Sequence, residues 1–277
     1  IPERGLMTRT LPHLNRVVVK IGSSSLCGAD NKIQERQIIE LTRQVAALVQ
    51  QNIELVLVTS GAVAAGIGHL IDKIPSLENN QAAAAIGQPI LMGYFQKYFQ
   101  AYGLNTAQLL LTHDDFQSRR RYLNARNTIN YLLNNQVIPI INENDSVSTE
   151  EIRFSDNDYL GALCTNLVSA DLFIILSNIN GIADKNPLEY PDARIFEELT
   201  LADLDHLQKK FASEKVSGLG RGGIATKLEA PAMAGRYGVP SIIANSREEN
   251  VLLRIVKGES LGTLIRPETN QLNSRRA

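Results

Sequence analysis

The sequence predicts an α/β fold: a three-layer α/β/α sandwich around a mostly parallel central sheet. Three observations carry that prediction. Apolar runs of strand length alternate with stretches of helical periodicity along the chain. The runs are nearly continuous in hydrophobic residues, as in Val17-Val18-Val19 and Phe173-Ile174-Ile175, the mark of strands buried on both faces. Several of them end in small polar residues, and an open α/β sheet binds its ligands just beyond the carboxyl ends of its strands.

Taken in order, residues 16–21 read as the first strand, entering a Gly-Ser-Ser-Ser loop. Ile38, Leu41, Val45 and Leu48 recur at helical spacing and predict an amphipathic helix up to about 51. A second strand spans 54–59 and ends at Ser60-Gly61, followed by a small-residue helix over 62–70. The next helix covers roughly 80–101, with Gly87-Gln88-Pro89 expected to break or kink it. A strand over 106–111 precedes an Arg-rich helix over 118–134, and Val137-Ile138-Pro139-Ile140-Ile141 is the strand that runs into Asn142-Glu143-Asn144-Asp145. A helix after Asp158 ends near 169, a strand over 172–176 ends at Ser177-Asn178, and a helix covers about 201–211. A glycine loop over 218–223 feeds a helix over 224–237, a strand over 239–244, a helix over 249–257 and a short strand over 263–265. Residues 1–14 read as a leader, 15–266 as one domain and 267–277 as a polar tail.

Composition narrows the function. The 277 residues include 44% hydrophobic and 21% charged residues, ordinary for a protein with a substantial core. A net charge of −1 supplies no global field toward nucleic acid or membrane, and no apolar stretch reaches the length of a membrane span. Cys27 and Cys164 match no metal-ligand spacing; Cys164 reads as a core residue and Cys27 as partly exposed near a loop. Nothing demands an oxidising compartment, which makes cytoplasm the default. His13, His69, His113 and His206 are scattered surface residues, so neither a metal site nor histidine catalysis is expected. Ser118-Arg119-Arg120-Arg121 lacks interleaved aromatics and reads as a solvated face or a subunit contact, leaving nucleic acid an unsupported partner.

The chemistry-bearing motifs sit at strand ends. The Asn/Asp block after the strand at 137–141 suits an amino acid or a sugar, since Asn both donates and accepts and Asp can hold an ammonium group; it also reads as a plain turn. Lys20, before Gly22 and its serines, suits an anion, although a strand-end lysine can equally be solvated. Gly218-Leu219-Gly220-Arg221-Gly222-Gly223 matches G-x-G-x-x-G in letters, but no buried strand precedes it, so the dinucleotide reading fails. What remains is a glycine loop feeding a helix whose first turn carries Thr226 and Lys227, a fit to phosphate at a helix N-terminus.

Together Val18-Val19-Lys20-Ile21-Gly22, Val58-Thr59-Ser60-Gly61-Ala62, Leu123-Asn124-Ala125-Arg126, the Ile141 to Asp145 block, Asp156-Asn157-Asp158, Ser217-Gly218-Leu219-Gly220 and the Gly222-Gly223 to Thr226-Lys227 stretch resemble the amino acid kinase family, and within it the glutamate 5-kinase branch, over residues 15–266. The resemblance implies the amino acid kinase fold, with an N-terminal part for glutamate and a C-terminal part for nucleotide. It implies ATP-dependent phosphorylation of the γ-carboxylate of L-glutamate, the first step of proline biosynthesis. By similarity Ser60, Asp145 and Asn157 hold glutamate, Lys20 and Lys227 neutralise the transferring phosphoryl group, and Asp158 orients both lysines. Ser177, Asn178, Arg221, Gly222, Gly223, Ile224, Ala225, Thr226 and Lys227, with Lys20, line the nucleotide site. The resemblance further implies Mg2+ held mainly through the phosphates with no protein metal site, a homo-oligomer (dimer or tetramer), feedback inhibition by proline, and a glutamyl phosphate reductase as partner. Many bacterial members carry a C-terminal PUA domain; residues 267–277 are expected to contain none.

Three departures bear on nucleotide use rather than on the reaction type. Ser177-Asn178 stands where the family usually has Thr-Asp, Arg221 where a small residue is usual, and Ala225 at a commonly polar position. They are the support for a competing reading, a glutamate- or proline-binding sensor with a degraded nucleotide site. A further competitor is another carboxylate or carbamate kinase of the same fold.

Overall fold

Alternation along each strand decides which helical layer each side chain meets. The computed structural model describes residues 8–28, 32–71, 76–148, 157–185, 187, 189–213 and 224–267. In order, its elements are β1 (Arg16–Ile21), α1 (Ser23–Leu26), α2 (Glu35–Val49), β2 (Glu54–Thr59), α3 (Ala62–Ile67), α4 (Leu77–Gln100), β3 (Asn105–Leu111), α5 (His113–Gln117), α6 (Arg119–Asn134), β4 (Val137–Glu143), α7 (Asn157–Leu167), β5 (Leu172–Ser177), β6 (Glu198–Thr200), α8 (Leu201–Ser213), α9 (Ile224–Arg236), β7 (Ser241–Asn245), α10 (Val251–Val256) and β8 (Thr263–Arg266).

The strands form one sheet in the order β3-β4-β2-β1-β5-β7-β8-β6. All described pairings are parallel except β7 with β8. Val17, Val19 and Ile21 pack with residues of α2, α4 and α10, whereas Val18 packs with those of α6, α7, α8 and α9. The sheet is therefore covered on both faces, and its strands are apolar on both, as their unbroken hydrophobic runs require. On α4, Leu91, Phe95 and Phe99 are fully buried, each contributing about 1.5–3 kcal/mol of apolar transfer. Strand order reverses at β1, which lies between β2 and β5, so the crevice at the carboxyl ends of β1 and β5 is the place where such a sheet receives a ligand.

Local departures from the sequence expectation have physical causes. α4 runs unbroken through Pro89. The N–H that Pro89 lacks would have bonded the carbonyl of Ala85, and Ala85 is exposed, so water can serve that carbonyl instead. β4 extends two residues beyond its apolar run, making Asn142 and Glu143 part of the strand, and α7 already includes Asn157 and Asp158. α1, α5 and β6 are too short for periodicity to reveal. Cys27 is buried rather than partly exposed, bridged to Ile33 and lying close to Gly61.

One close approach shapes the neighbourhood of β4. A Cβ on Gly66 would lie 1.9 Å from the carbonyl oxygen of Ala83, and one on Gly87 1.8 Å from that of Ala62. α3 and α4 thus touch backbone to backbone, a contact that only glycine permits.

Candidate functional site

Side-chain alternation places the first charge. Lys20 shares the Val18 face of β1 and so points toward the α7 layer, where it is buried. α7 passes this strand at Gly161, where a methyl group would lie 2.7 Å from the Phe173 ring and 3.4 Å from Lys20 Cβ. One turn earlier on the same helix, Asp158 meets Lys20, with Nζ to Oδ1 at 2.5 Å. Asp158 also sits in the first turn of α7, where the helix dipole favours a negative charge.

The second ammonium comes from α9. Lys227 Nζ lies 3.9 Å from Asp158 Oδ2 and donates to Ser177 Oγ at 2.9 Å. Ser177 lies at the end of β5, on the face of Phe173 and Ile175 that also carries Lys20, and its hydroxyl donates to Asn178 Oδ1 at 3.3 Å. Asn178 is exposed just beyond the strand. Two lysines thus meet one aspartate at the strand-order reversal. A buried ion pair is weak evidence for stability; two ammonium groups gathered beyond the carboxyl ends of β1 and β5 are an arrangement suited to an anion. Arg221, Gly222 and Gly223 lie outside the described residues, and Ile224, Ala225 and Thr226 open α9.

Beside the lysines lies a network of amides. Asn157 Nδ2 donates to the carbonyl of Thr59 at 2.6 Å, to Ser60 Oγ at 3.0 Å and to Asn142 Oδ1 at 2.7 Å, two hydrogens shared among three acceptors. Asn142 Oδ1 also accepts from the backbone N–H of Glu143 at 2.9 Å, and Asn142 Nδ2 donates to Gln88 Oε1 at 2.8 Å. Asp145 enters from the turn after β4. With Ala62, Gln88, Gln108 and Glu143 it lines a cavity of about 290 Å³ between α4 and the β3 edge of the sheet. Glu143 is buried and accepts from Ser148 Oγ at 2.7 Å.

The amino acid kinase family profile matches residues 15–245. The chain belongs to the amino acid kinase family. Among its curated relatives, the glutamate 5-kinase of Methylococcus capsulatus is 46% identical over 268 residues, covering 96% of this chain and 71% of that protein. The glutamate 5-kinase of a Marinomonas strain is 45% identical over 272 residues, 98% of this chain and 72% of that protein. Among solved structures, the carbamate kinase from Giardia lamblia bound to AMP-PNP superposes with a TM-score of 0.67 at 15% identity, over 92% of this chain and 99% of that one. A UMP kinase from Bacillus anthracis gives 0.60 at 17% identity, over 92% and 97%. At those identities the two structures establish the shared fold alone.

For this amino acid kinase, sequence reasoning overlooked Gln88, the amide partnership of Asn142, and Gly161. Gln88 does leave a signal: it is a lone amide within the apolar stretch Ala82-Ala83-Ala84-Ala85-Ile86-Gly87 and Ile90-Leu91, masked there by the helix-breaking character of Gly-Gln-Pro. Arg119, Arg120 and Arg121 of α6 are exposed, and Arg121 pairs with Asp115 at 3.2 Å. No described helix is long and apolar enough to cross a membrane.

Proposed function

We infer that this chain transfers the γ-phosphoryl group of ATP to the γ-carboxylate of L-glutamate, giving L-glutamyl 5-phosphate and ADP, the first step of proline biosynthesis. The observation that carries the reading is the meeting of Lys20 and Lys227 at Asp158, next to the Asn157–Ser60 amide site. A γ-carboxylate with an ordinary pKa of about 4.3 is already ionised at neutral pH, so its oxygen attacks phosphorus without a general base as the bond to the β-phosphate oxygen breaks. The obstacle is repulsion between an anion and a polyanion, which positioned cations relieve. In this reading Lys20 and Lys227 take that charge, and Asp158 holds both amines in place. Ser60, Asp145 and Asn157 bind glutamate. Ser177, Asn178 and the start of α9, with Arg221, Gly222 and Gly223 before it, receive the nucleotide.

Among the described residues no group of three or more His, Cys, Asp or Glu side chains could hold a metal ion. In this reading Mg2+ rides on the phosphate oxygens of the nucleotide, the usual habit of this ion, and when bound there it would neutralise phosphate charge. Residues 15–266 act as one domain in this reading, its part before β5 serving glutamate and its later part nucleotide. A homo-oligomer, inhibition by proline at the glutamate site, a cytoplasmic location and hand-over of the labile acyl phosphate to a reductase belong to the same proposal.

The test is ADP release in the presence of ATP and Mg2+ with glutamate, aspartate, N-acetylglutamate or carbamate, with the acyl phosphate trapped by hydroxylamine. Glutamate-dependent turnover with hydroxamate formation is expected. ADP release that ignores glutamate, or that prefers another acceptor, defeats the reading.

A further inference from the structure

We propose that Gln88 is a positioning residue for the amino-acid site: by accepting from Asn142 Nδ2 it anchors the far end of the amide chain that holds Asn157, so that Asn157 presents its carbonyl oxygen to the substrate ammonium group. The inference rests on the reading of Asn157 as a glutamate contact.

Gln88, Asn142 and Asn157 are 6%, 1% and 8% exposed, so solvent does not set their orientation. An amide has a donor end and an acceptor end, and here each end is constrained. The N–H of Glu143, held by the backbone of β4, donates to Asn142 Oδ1, and so does Asn157 Nδ2. With its oxygen committed, Asn142 must point Nδ2 the other way, where Gln88 Oε1 accepts it. Turning Asn142 over would set its NH2 group against two other donors. Asn157 is locked in turn: its Nδ2 is held by Thr59, Ser60 and Asn142, which directs Oδ1 away from the network. An outward carbonyl accepts from an ammonium group; an outward NH2 repels it.

The other end of Gln88 gives the second argument. Its Nε2 is buried and has no hydrogen-bond partner among the described residues. A buried donor without an acceptor is costly, and an apolar residue of similar shape would avoid that cost. Packing alone therefore does not account for glutamine here; the acceptor that Gln88 offers Asn142 does. The close contact of Gly87 with Ala62 seats this turn of α4 against the start of α3, directly after Ser60 and Gly61.

The test compares Gln88→Met, which removes the acceptor at similar volume, with Gln88→Glu, which keeps one. Steady-state kinetics in both substrates and thermal unfolding are read together. Gln88→Met is expected to raise KM for glutamate about tenfold or more, the usual effect of orphaning a buried donor, with KM for ATP and kcat held within about twofold. Gln88→Glu is expected to bring the glutamate KM back to within about threefold of wild type, and Gln88→Met is expected to add no further loss in an Asn157→Ala background. If Gln88→Met does not fold, Gln88→Asn replaces it: one methylene short of Asn142, it should raise the glutamate KM where Gln88→Glu does not. A glutamate KM unchanged in a folded Gln88→Met protein, or raised together with that of ATP, or no better in Gln88→Glu, overturns the inference alone. A wild-type protein that forms no glutamyl phosphate overturns the function reading and this inference with it.

Discussion

Truncating Lys227 to alanine removes one of the two cations that meet at Asp158 while leaving the 2.5 Å Lys20–Asp158 pair in place. The consequences for folding and for turnover separate. Lys227 Nζ stands 3.9 Å from the carboxylate, and its side chain is 18% exposed. Two unit charges at about that distance attract by roughly 4 kcal/mol at an effective dielectric of ~20, and most of this is offset by desolvation. Asp158 keeps its shorter partner, so a stability loss of about 1 kcal/mol is expected. Turnover should suffer far more. Losing one preorganised donor at developing charge costs roughly 2.7–4 kcal/mol of barrier, a factor of about a hundred to a thousand in kcat. The assay is glutamate-dependent ADP release at saturating ATP and Mg2+, alongside a melting curve. A folded Lys227→Ala protein that turns over within about threefold of wild type would refute the reasoning, because neither binding nor chemistry would then depend on that charge.

Lys20→Met should behave differently: Asp158, only 1% exposed, loses its 2.5 Å partner, and a urea titration should register a loss of about 3–5 kcal/mol in addition to lost activity. Gly87→Ala forces a methyl group to within 1.8 Å of the Ala62 carbonyl oxygen, and should cost about 3 kcal/mol or more with a lowered melting temperature; an unchanged melt would contradict the backbone contact of α3 and α4. Burial pushes the Cys164 thiol well above its usual range, so it should resist thiol reagents at neutral pH until denaturant is added; rapid labelling of Cys164 in the native protein would contradict its place in the core.

Much of the sheet was legible because its strands are buried on both faces, and such strands cannot disguise their apolar runs: those at 16–21 and 54–59 stand as read, and that at 172–176 gains only Ser177. The small elements were not, since four or five residues, as in α1 and α5, complete too little of a helical period to show it. Pro89 misled because a proline rule concerns local hydrogen bonds, while the exposure of Ala85 is decided by tertiary structure. Lys20 and Lys227 stood out as charges beside a strand end and a glycine loop, whereas the role of Asp158 came only with the family resemblance. Gln88 did not, because its meaning lies in the donor and acceptor ends of Asn142 and Asn157, and contact between amides so distant in sequence leaves no periodic trace.

Asp158 accepts one amine from the first strand of the chain and another from its ninth helix. A growing polypeptide that has completed β1 and α7 can already form the Lys20–Asp158 pair, and the second ammonium group arrives only when α9 docks. On the proposed assignment, ATP therefore recognises the finished fold and not its precursors. The nucleotide then acts as a brace between early-made and late-made parts of the polymer, and at about a hundredfold excess over its dissociation constant it would add roughly 2.7 kcal/mol to the work of pulling them apart.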